Sequence, residues 1–398
     1  MNDETPKDPI HFPLGVEFDP GSNGAQQNVS GRPMSIRRVF MAGRLDAFCA
    51  AGGGEIQMDR TCRALGEIGI DARRWRPWED RLESGDVLHL FGSLRDLLPA
   101  VESAREQGAA ICISTIAWFS LHDPMRTGGT IRRIAATARF LLRRALPRID
   151  SWRRRLYHLA DRLLPNSQAE AEQLVRYFQV PRDKIHVVPN AADRQLAFAN
   201  PRPFRRLVAE LRLDPTQPIV LCPARIEPRK NQRTLIRALS DTCVSLVLLG
   251  DPVVGHEDYF QQCEAEAGPN VRFLPRIPHG DPMLGSALAA ADCLTLASWF
   301  ETPGLAAIEA AMTGTPLVLP TGGCAQEYFG PLARYVKPDR PAAIRRAVFE
   351  AIQSGPSSEL AAIARDTFCW ENTARVTRAA YHGAIEAAVV RERVLANK

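Results

Sequence analysis

The sequence predicts an α/β protein made of two Rossmann-like, doubly wound domains facing each other across a cleft. Three observations carry this expectation. At 398 residues the chain is too long for one ordinary core and suits two. Short apolar runs alternate with helical stretches, which is the signature of parallel βαβ units. The alternation also occurs twice, on either side of a polar, Pro-containing stretch at 190–217.

In order along the chain, residues 1–34 are rich in Pro, Gly, Asn, Asp and Gln without apolar periodicity and read as a disordered tail. The first half, 35–190, has strand candidates at 37–43, 86–92 (DVLHLFG), 110–115 (AICIST), 162–166 and 185–189. Helical patterns fall at about 55–68, 94–107, 130–160 and 168–178. Ser167-Gln168-Ala169-Glu170 forms a capping box for the last of these. The second half, 191–370, has strands at 218–223 (PIVLCP), 245–250 (SLVLLG), 271–275 (VRFLP), 293–298 (CLTLAS), 316–320 (PLVLP) and 335–336. Their continuous apolar character suits a parallel sheet covered on both faces. Residues 371–398 close the chain with an amphipathic helix expected to pack back toward the N-terminal domain.

Composition limits the class. Hydrophobic residues make up 45% and charged residues 24%, as in ordinary globular proteins. The nine cysteines are scattered with no C-x-x-C pair, which argues against a disulfide framework or a zinc site and for a reducing compartment. No apolar run reaches membrane-spanning length and no signal-peptide pattern opens the chain, so a cytoplasmic protein is expected. The net charge of +5 does not single out nucleic acid, and none is expected as a partner. Only five of the fifty basic residues are lysines, a bias attributed to genome composition.

Two loops could carry chemistry. Strand 218–223 runs into Ala224-Arg225-Ile226-Glu227-Pro228-Arg229-Lys230-Asn231. A basic loop between a strand end and a helix start places cations where free helix amides also favour an anion. Arg225 can grip two phosphate oxygens, and Lys230 is a compact charge. Taken alone, a solvated basic loop explains this cluster equally well. Strand 293–298 runs into Trp299-Phe300-Glu301-Thr302-Pro303-Gly304-Leu305, with Glu309 two turns further on. Pro303 and Gly304 suit a tight turn into a helix, leaving the amides of Gly304 and Leu305 for a phosphate. Glu301 and Glu309, as acceptor-only carboxylates, suit sugar hydroxyls. Two Glu at this spacing arise by chance on solvated helices; the strand-end location beside a second phosphate-competent loop decides for a site.

Together these motifs resemble the retaining GT-B glycosyltransferases of the E-x7-E type, family 4-like and group 1. The pattern is Glu301 to Glu309 preceded by Arg225 and Lys230. Val188-Pro189-Asn190-Ala191-Ala192-Asp193 is similar to the family's "PNGVD" link, and Gly314-Thr315-Pro316-Leu317-Val318 with Gly322-Gly323-Cys324-Ala325-Gln326-Glu327 to its "GxPVV…GGxxE". Gly52-Gly53-Gly54-Glu55 resembles its "GGxE" loop and Cys369-Trp370-Glu371 its "SWE". The set spans about 37–393, and its combination is what makes it specific.

The resemblance implies that Arg225 and Lys230 bind the diphosphate of a nucleotide-sugar donor and steady the leaving group, that Glu301 contacts donor sugar hydroxyls, and that the Gly304 and Leu305 amides meet the phosphate. It implies that Glu309 binds the ribose, that Gly53 and Gly54 lie on the donor side, and that neither metal nor cofactor is needed. The acceptor would be a carbohydrate or a lipid-linked molecule. The chain departs from the pattern at 114–119 (STIAWF), where Trp118 stands about where the family often has His, and at Thr302-Pro303, which replaces a common Gly-Phe. His89, in DVLHLFG, is a second acceptor-side candidate, although a histidine satisfied within the fold is the preferred reading.

The Arg-rich stretch 126–155 admits a surface docked on anionic lipid at the inner face of the membrane; a solvated helix pair is preferred. Two rival functions stand beside the transferase. One is a non-catalytic nucleotide-sugar-binding or scaffold protein with a lapsed acceptor site. The other, a NAD oxidoreductase, is weak because Gly52-Gly53-Gly54 is not a G-x-G-x-x-G.

Overall fold

The computed structural model describes residues 35–44, 52–119 and 151–396, with isolated positions elsewhere. The expected tail at 1–34 and most of the Arg-rich stretch, including Arg139, Arg143 and Arg144, lie outside the described residues, apart from the antiparallel strand pair Ile10–His11 and Glu17–Phe18. The chain divides into two units. One comprises Met1–Ala117, Arg148–Pro189 and Trp370–Lys398; the other comprises Trp118–Pro147 and Asn190–Cys369. No described helix is long and apolar enough to cross a membrane.

The first unit holds a parallel five-stranded sheet in the order Ala72–Arg74, Val39–Ala42, Val87–Phe91, Ala110–Ser114, Arg162–Leu163. Val39–Ala42, Val87–Phe91 and Ala110–Ser114 are buried along their whole length, as expected of strands covered on both faces. The edge strand Ala72–Arg74 is absent from the sequence expectation because it is not apolar: it contributes backbone to the sheet edge, while the Arg73 guanidinium lies 4.9 Å from the Phe40 ring centroid. The expected strand at 185–189 forms only a bridge from Ile185 to Leu163. Pro165 and Pro189 have no N–H to offer a ladder, which keeps this edge irregular.

Ser167 caps helix Gln168–Phe178, accepting from the Glu170 amide at 3.1 Å. The fully buried Glu170 carboxylate reaches the Asn166 amide at 3.0 Å, one residue beyond the expected return bond, and also accepts from the Ala117 amide at 2.8 Å and the Thr115 hydroxyl. Helix Trp370–Ala396 completes this unit, burying Ala380, Tyr381, Ala384 and Ile385. Arg391 near its end pairs with the buried Asp161 at 2.5 Å.

The second unit holds a six-stranded parallel sheet in the order Val271–Leu274, Ser245–Leu249, Ile219–Pro223, Cys293–Thr295, Leu317–Pro320, Ala333–Val336. The stretch 190–217, expected as a mere connection, contains a 3-10 turn at Arg194–Phe198 and a helix at Arg202–Glu210. Phe204 and Val208 are buried on one face of that helix, and the Phe204 amide donates to the Ser286 hydroxyl at 3.0 Å. Two apolar residues one turn apart among arginines are too weak a period to be seen in the sequence.

Candidate functional site

In the second sheet the strand order reverses between Ile219–Pro223 and Cys293–Thr295. Ligands of open α/β sheets bind in the crevice beyond the carboxyl ends of strands at such a reversal. The two loops singled out in the sequence leave from these two neighbouring strands.

The first loop is held from several directions. Asn231 ends the 3-10 turn Pro228–Lys230 in the left-handed region, at φ 55°, which Asn tolerates better than most residues. Its side-chain amide donates to the carbonyls of Ala297 at 3.0 Å and Pro338 at 2.8 Å, tying the loop to the second one. Gln232 donates to the Arg225 carbonyl at 2.8 Å. Gly250, at the end of the adjacent strand, has no room for a Cβ against the Ala224 carbonyl, so the loop base packs backbone on backbone. Arg225 is more exposed than Lys230, at 40% against 14% of the side chain, and shares Glu227 with Arg229 at 3.4 and 3.2 Å.

Between the two loops Lys230 Nζ lies 2.5 Å from Glu301 Oε1, and the Ser298 hydroxyl donates to the same oxygen at 2.5 Å. Burial most strongly lowers the Lys230 pKa, with the Glu301 charge opposing it. For Glu301 burial is also the largest influence and pushes the carboxyl up, but the Lys230 and Arg229 charges and the bonds from Lys230 and Ser298 together hold it below its ordinary value. Lys230 and Glu301 thus form a close, buried pair at the strand ends. Gly304 turns the chain at φ 92° into helix Leu305–Met312, whose first turn has no side-chain cap. That leaves an amide-lined N-terminus on which an anion is favoured.

Glu309 is buried one helical turn and more beyond, and its Oε1 lies 2.9 Å from His279 Nδ1. Both side chains line a cavity of about 520 Å³ with Asp193, Phe198, Asp281 and Met283. The structure thus brings Arg225, Lys230, Glu301, Gly304, Leu305 and Glu309 into one unit around two adjacent strand ends. Sequence reasoning missed Ser298, Asn231 and His279. Only the left-handed Asn at a helix start left a signal, since Asn is a common residue for that backbone region.

The remaining candidates lie elsewhere. Gly53 and Gly54 open helix Gly53–Glu67 of the first unit, where Glu55 accepts from the Gly52 amide at 2.8 Å. Trp118 is half-buried. His89 is satisfied within the fold: it is 1% exposed, its ring nitrogens lie 2.7 Å from the Tyr381 hydroxyl and 3.0 Å from the Ser114 hydroxyl, and burial lowers its pKa to about 3. Both nitrogens are spent inside the first unit, so none is presented to a ligand.

Comparison with known proteins bears on both units. Residues 204–365 match the family described as glycosyl transferases group 1, and residues 51–196 match glycosyltransferase family 4. Among curated relatives, D-inositol 3-phosphate glycosyltransferase of Nocardia farcinica is 35% identical over 171 residues, covering 40% of this chain and 37% of that protein. The enzyme of the same name from Pseudarthrobacter chlorophenolicus is 28% identical over 243 residues, covering 57% of each. The chain thus spans less than two thirds of the length of these relatives. Among solved structures, Anabaena HepE in complex with UDP and glucose aligns with a TM-score of 0.64 at 17% identity, covering 86% of this chain and 98% of that one. Sucrose-phosphate synthase from Thermosynechococcus elongatus aligns with a TM-score of 0.58 at 19% identity, covering 91% and 100%. These likenesses show a shared fold.

Proposed function

Because the chain belongs to the glycosyltransferases of family 4 and group 1, we propose that it moves a hexose-like unit from a nucleoside-diphosphate sugar to a carbohydrate or lipid-linked acceptor, with retention of anomeric configuration. The observation that carries this reading is the Lys230–Glu301 pair beside the uncapped start of helix Leu305–Met312, at the switch point of the sheet. The pair sets a cation for the diphosphate next to a carboxylate for the sugar hydroxyls.

In this reading Lys230 and Arg225 hold the diphosphate with the amides of Gly304 and Leu305. They stabilise the charge that grows on it as the sugar–phosphate bond breaks, which is the largest catalytic contribution expected of such a site. Lys230 has three N–H donors, so it can keep Glu301 while meeting a phosphate oxygen. Glu301 orients the sugar and Glu309 binds the ribose diol. Uridine is the first nucleotide to test, since HepE is solved with UDP. A lipid-linked acceptor would place the reaction in cell-envelope or exopolysaccharide synthesis at the cytoplasmic face.

The test is donor turnover. Purified protein incubated with UDP-glucose, GDP-mannose and related donors should release nucleoside diphosphate, and Lys230→Ala should abolish that release. Binding without release or transfer, for every donor and acceptor, would favour a non-catalytic binding protein instead.

A further inference from the structure

The carboxylate assigned above to the ribose already has a partner. Glu309 Oε1 lies 2.9 Å from His279 Nδ1. Glu309 is 7% exposed, and the His279 side chain is 24% exposed. His279 belongs to the segment between strand Val271–Leu274 and helix Pro282–Ala290, while Glu309 belongs to helix Leu305–Met312. The contact therefore crosses between two elements that line the same 520 Å³ cavity. Asp281, on the same segment, is an acceptor: one of its oxygens caps helix Pro282–Ala290, taking the Met283 amide at 2.8 Å.

We propose that His279 is a positioning residue for nucleotide recognition: its close polar contact through Nδ1 with one oxygen of Glu309 fixes the plane of that carboxylate so that the other oxygen is aimed at a ribose hydroxyl. The inference rests on the donor-site reading of Glu309. A carboxylate on a helix has two flexible torsions beyond χ1, and a diol needs an acceptor held in one orientation. A close polar contact from a neighbouring element supplies that constraint before the ligand arrives, which reduces the ordering cost of binding.

The experiment titrates the full chain with UDP, GDP and ADP by calorimetry, then continues with the tightest binder and its 2′-deoxy counterpart. Wild-type protein should bind the ribonucleotide more tightly than the deoxynucleotide. His279→Ala should weaken the ribonucleotide about three- to tenfold while changing the deoxynucleotide less than about twofold. His279→Asn, whose amide N–H can stand near the Nδ1 position, should restore most of the difference. Glu309→Ala should abolish the preference altogether.

If Glu309→Ala keeps the preference, or if none of the three diphosphates binds, the donor-site reading of Glu309 fails and this inference falls with it. Should Glu309→Ala erase the preference while His279→Ala preserves it, the reading stands and the role of His279 is overturned. A lowered melting temperature of His279→Ala with equal losses for both nucleotides would likewise overturn it, as the mark of a merely structural contact.

Discussion

Gly323 runs beside Glu301 as a single parallel bridge: the Glu301 amide donates to the Gly322 carbonyl at 3.1 Å, and the Cys324 amide donates to the Glu301 carbonyl at 3.0 Å. Gly323 sits at φ 106°, and a Cβ there would overlap the Glu301 backbone. The glycine pair that follows strand Leu317–Pro320 is thus the wall against which Glu301 is set.

Gly323→Ala should therefore displace Glu301 without touching any ligand directly. The expected result is a loss of donor turnover of tenfold or more, together with destabilisation of about 1–3 kcal/mol for a side chain forced into this backbone region. Circular dichroism melts and turnover measured on the same preparation check it. Normal activity in the alanine variant would mean that the position of Glu301 does not matter to the reaction.

Lys230 and Arg225 should differ in weight. Lys230 is largely buried and Arg225 substantially exposed, so solvent screens the arginine more. Lys230→Ala should lower turnover by about 10²–10³, as for loss of one preorganised donor at a developing charge. Arg225→Ala should cost less. Since Lys230→Ala also strands the buried Glu301 carboxylate, the double variant Lys230→Ala/Glu301→Gln serves as the folding control; recovery of its melting temperature without recovery of turnover separates the two effects.

The two carboxylates should separate binding from chemistry. Glu309→Ala should weaken nucleoside diphosphate itself, whereas Glu301→Gln should leave that affinity within about twofold and reduce turnover of the sugar donor. Calorimetry with the diphosphate, set against steady-state rates with the donor, reads both. Equal losses of diphosphate affinity in the two variants would count against the assignment.

Donor turnover should persist in excess EDTA. Lys230, Arg225 and the uncapped amides at Leu305 supply positive potential where a divalent ion would otherwise act. Complete loss on chelation, restored by magnesium or manganese, would contradict this.

Stability should fall as the solution is acidified from pH 7 toward pH 4. Burial depresses the pKa of His89 to about 3 and that of His186 to about 4, each from 6.5. The unfolded chain therefore binds protons that the folded chain refuses below pH 6.5, so stability is fully present above that value and is lost as pH falls toward the folded pKa. Each such histidine contributes a slope approaching ~1.4 kcal/mol per pH unit. Chemical denaturation of wild type and His89→Gln across this range checks it, and the variant should show the shallower slope.

The fold class was legible because strands such as Val87–Phe91 and Ser245–Leu249 are buried on both faces and read as unbroken apolar runs. Ala72–Arg74 was not legible, since an edge strand needs only backbone, and helix Arg202–Glu210 shows only two buried residues in a basic sequence. The Arg225, Lys230, Glu301 and Glu309 positions were legible through spacing and their place after strands. Ser298 and His279 were not, because a hydrogen bond across loops leaves no periodic trace. For His89 a polar residue within an apolar run points to a histidine satisfied within the fold, but not to its partners Ser114 and Tyr381, which lie 25 and 292 residues away in sequence.

The return of helix Trp370–Ala396 to the first unit sets an order of assembly. Residues 190–369 form a block whose six strands all lie within it, so its sheet can close as soon as that block has been synthesised. The first unit is completed later: Tyr381, the second partner of His89 beside Ser114, and Arg391, which pairs with Asp161, arrive only with the final helix. Domains usually mature from the N-terminus onward as a chain is made. Here the earlier-translated sheet gains the last partners of its buried histidine and buried carboxylate only after the strands of the later one have been made.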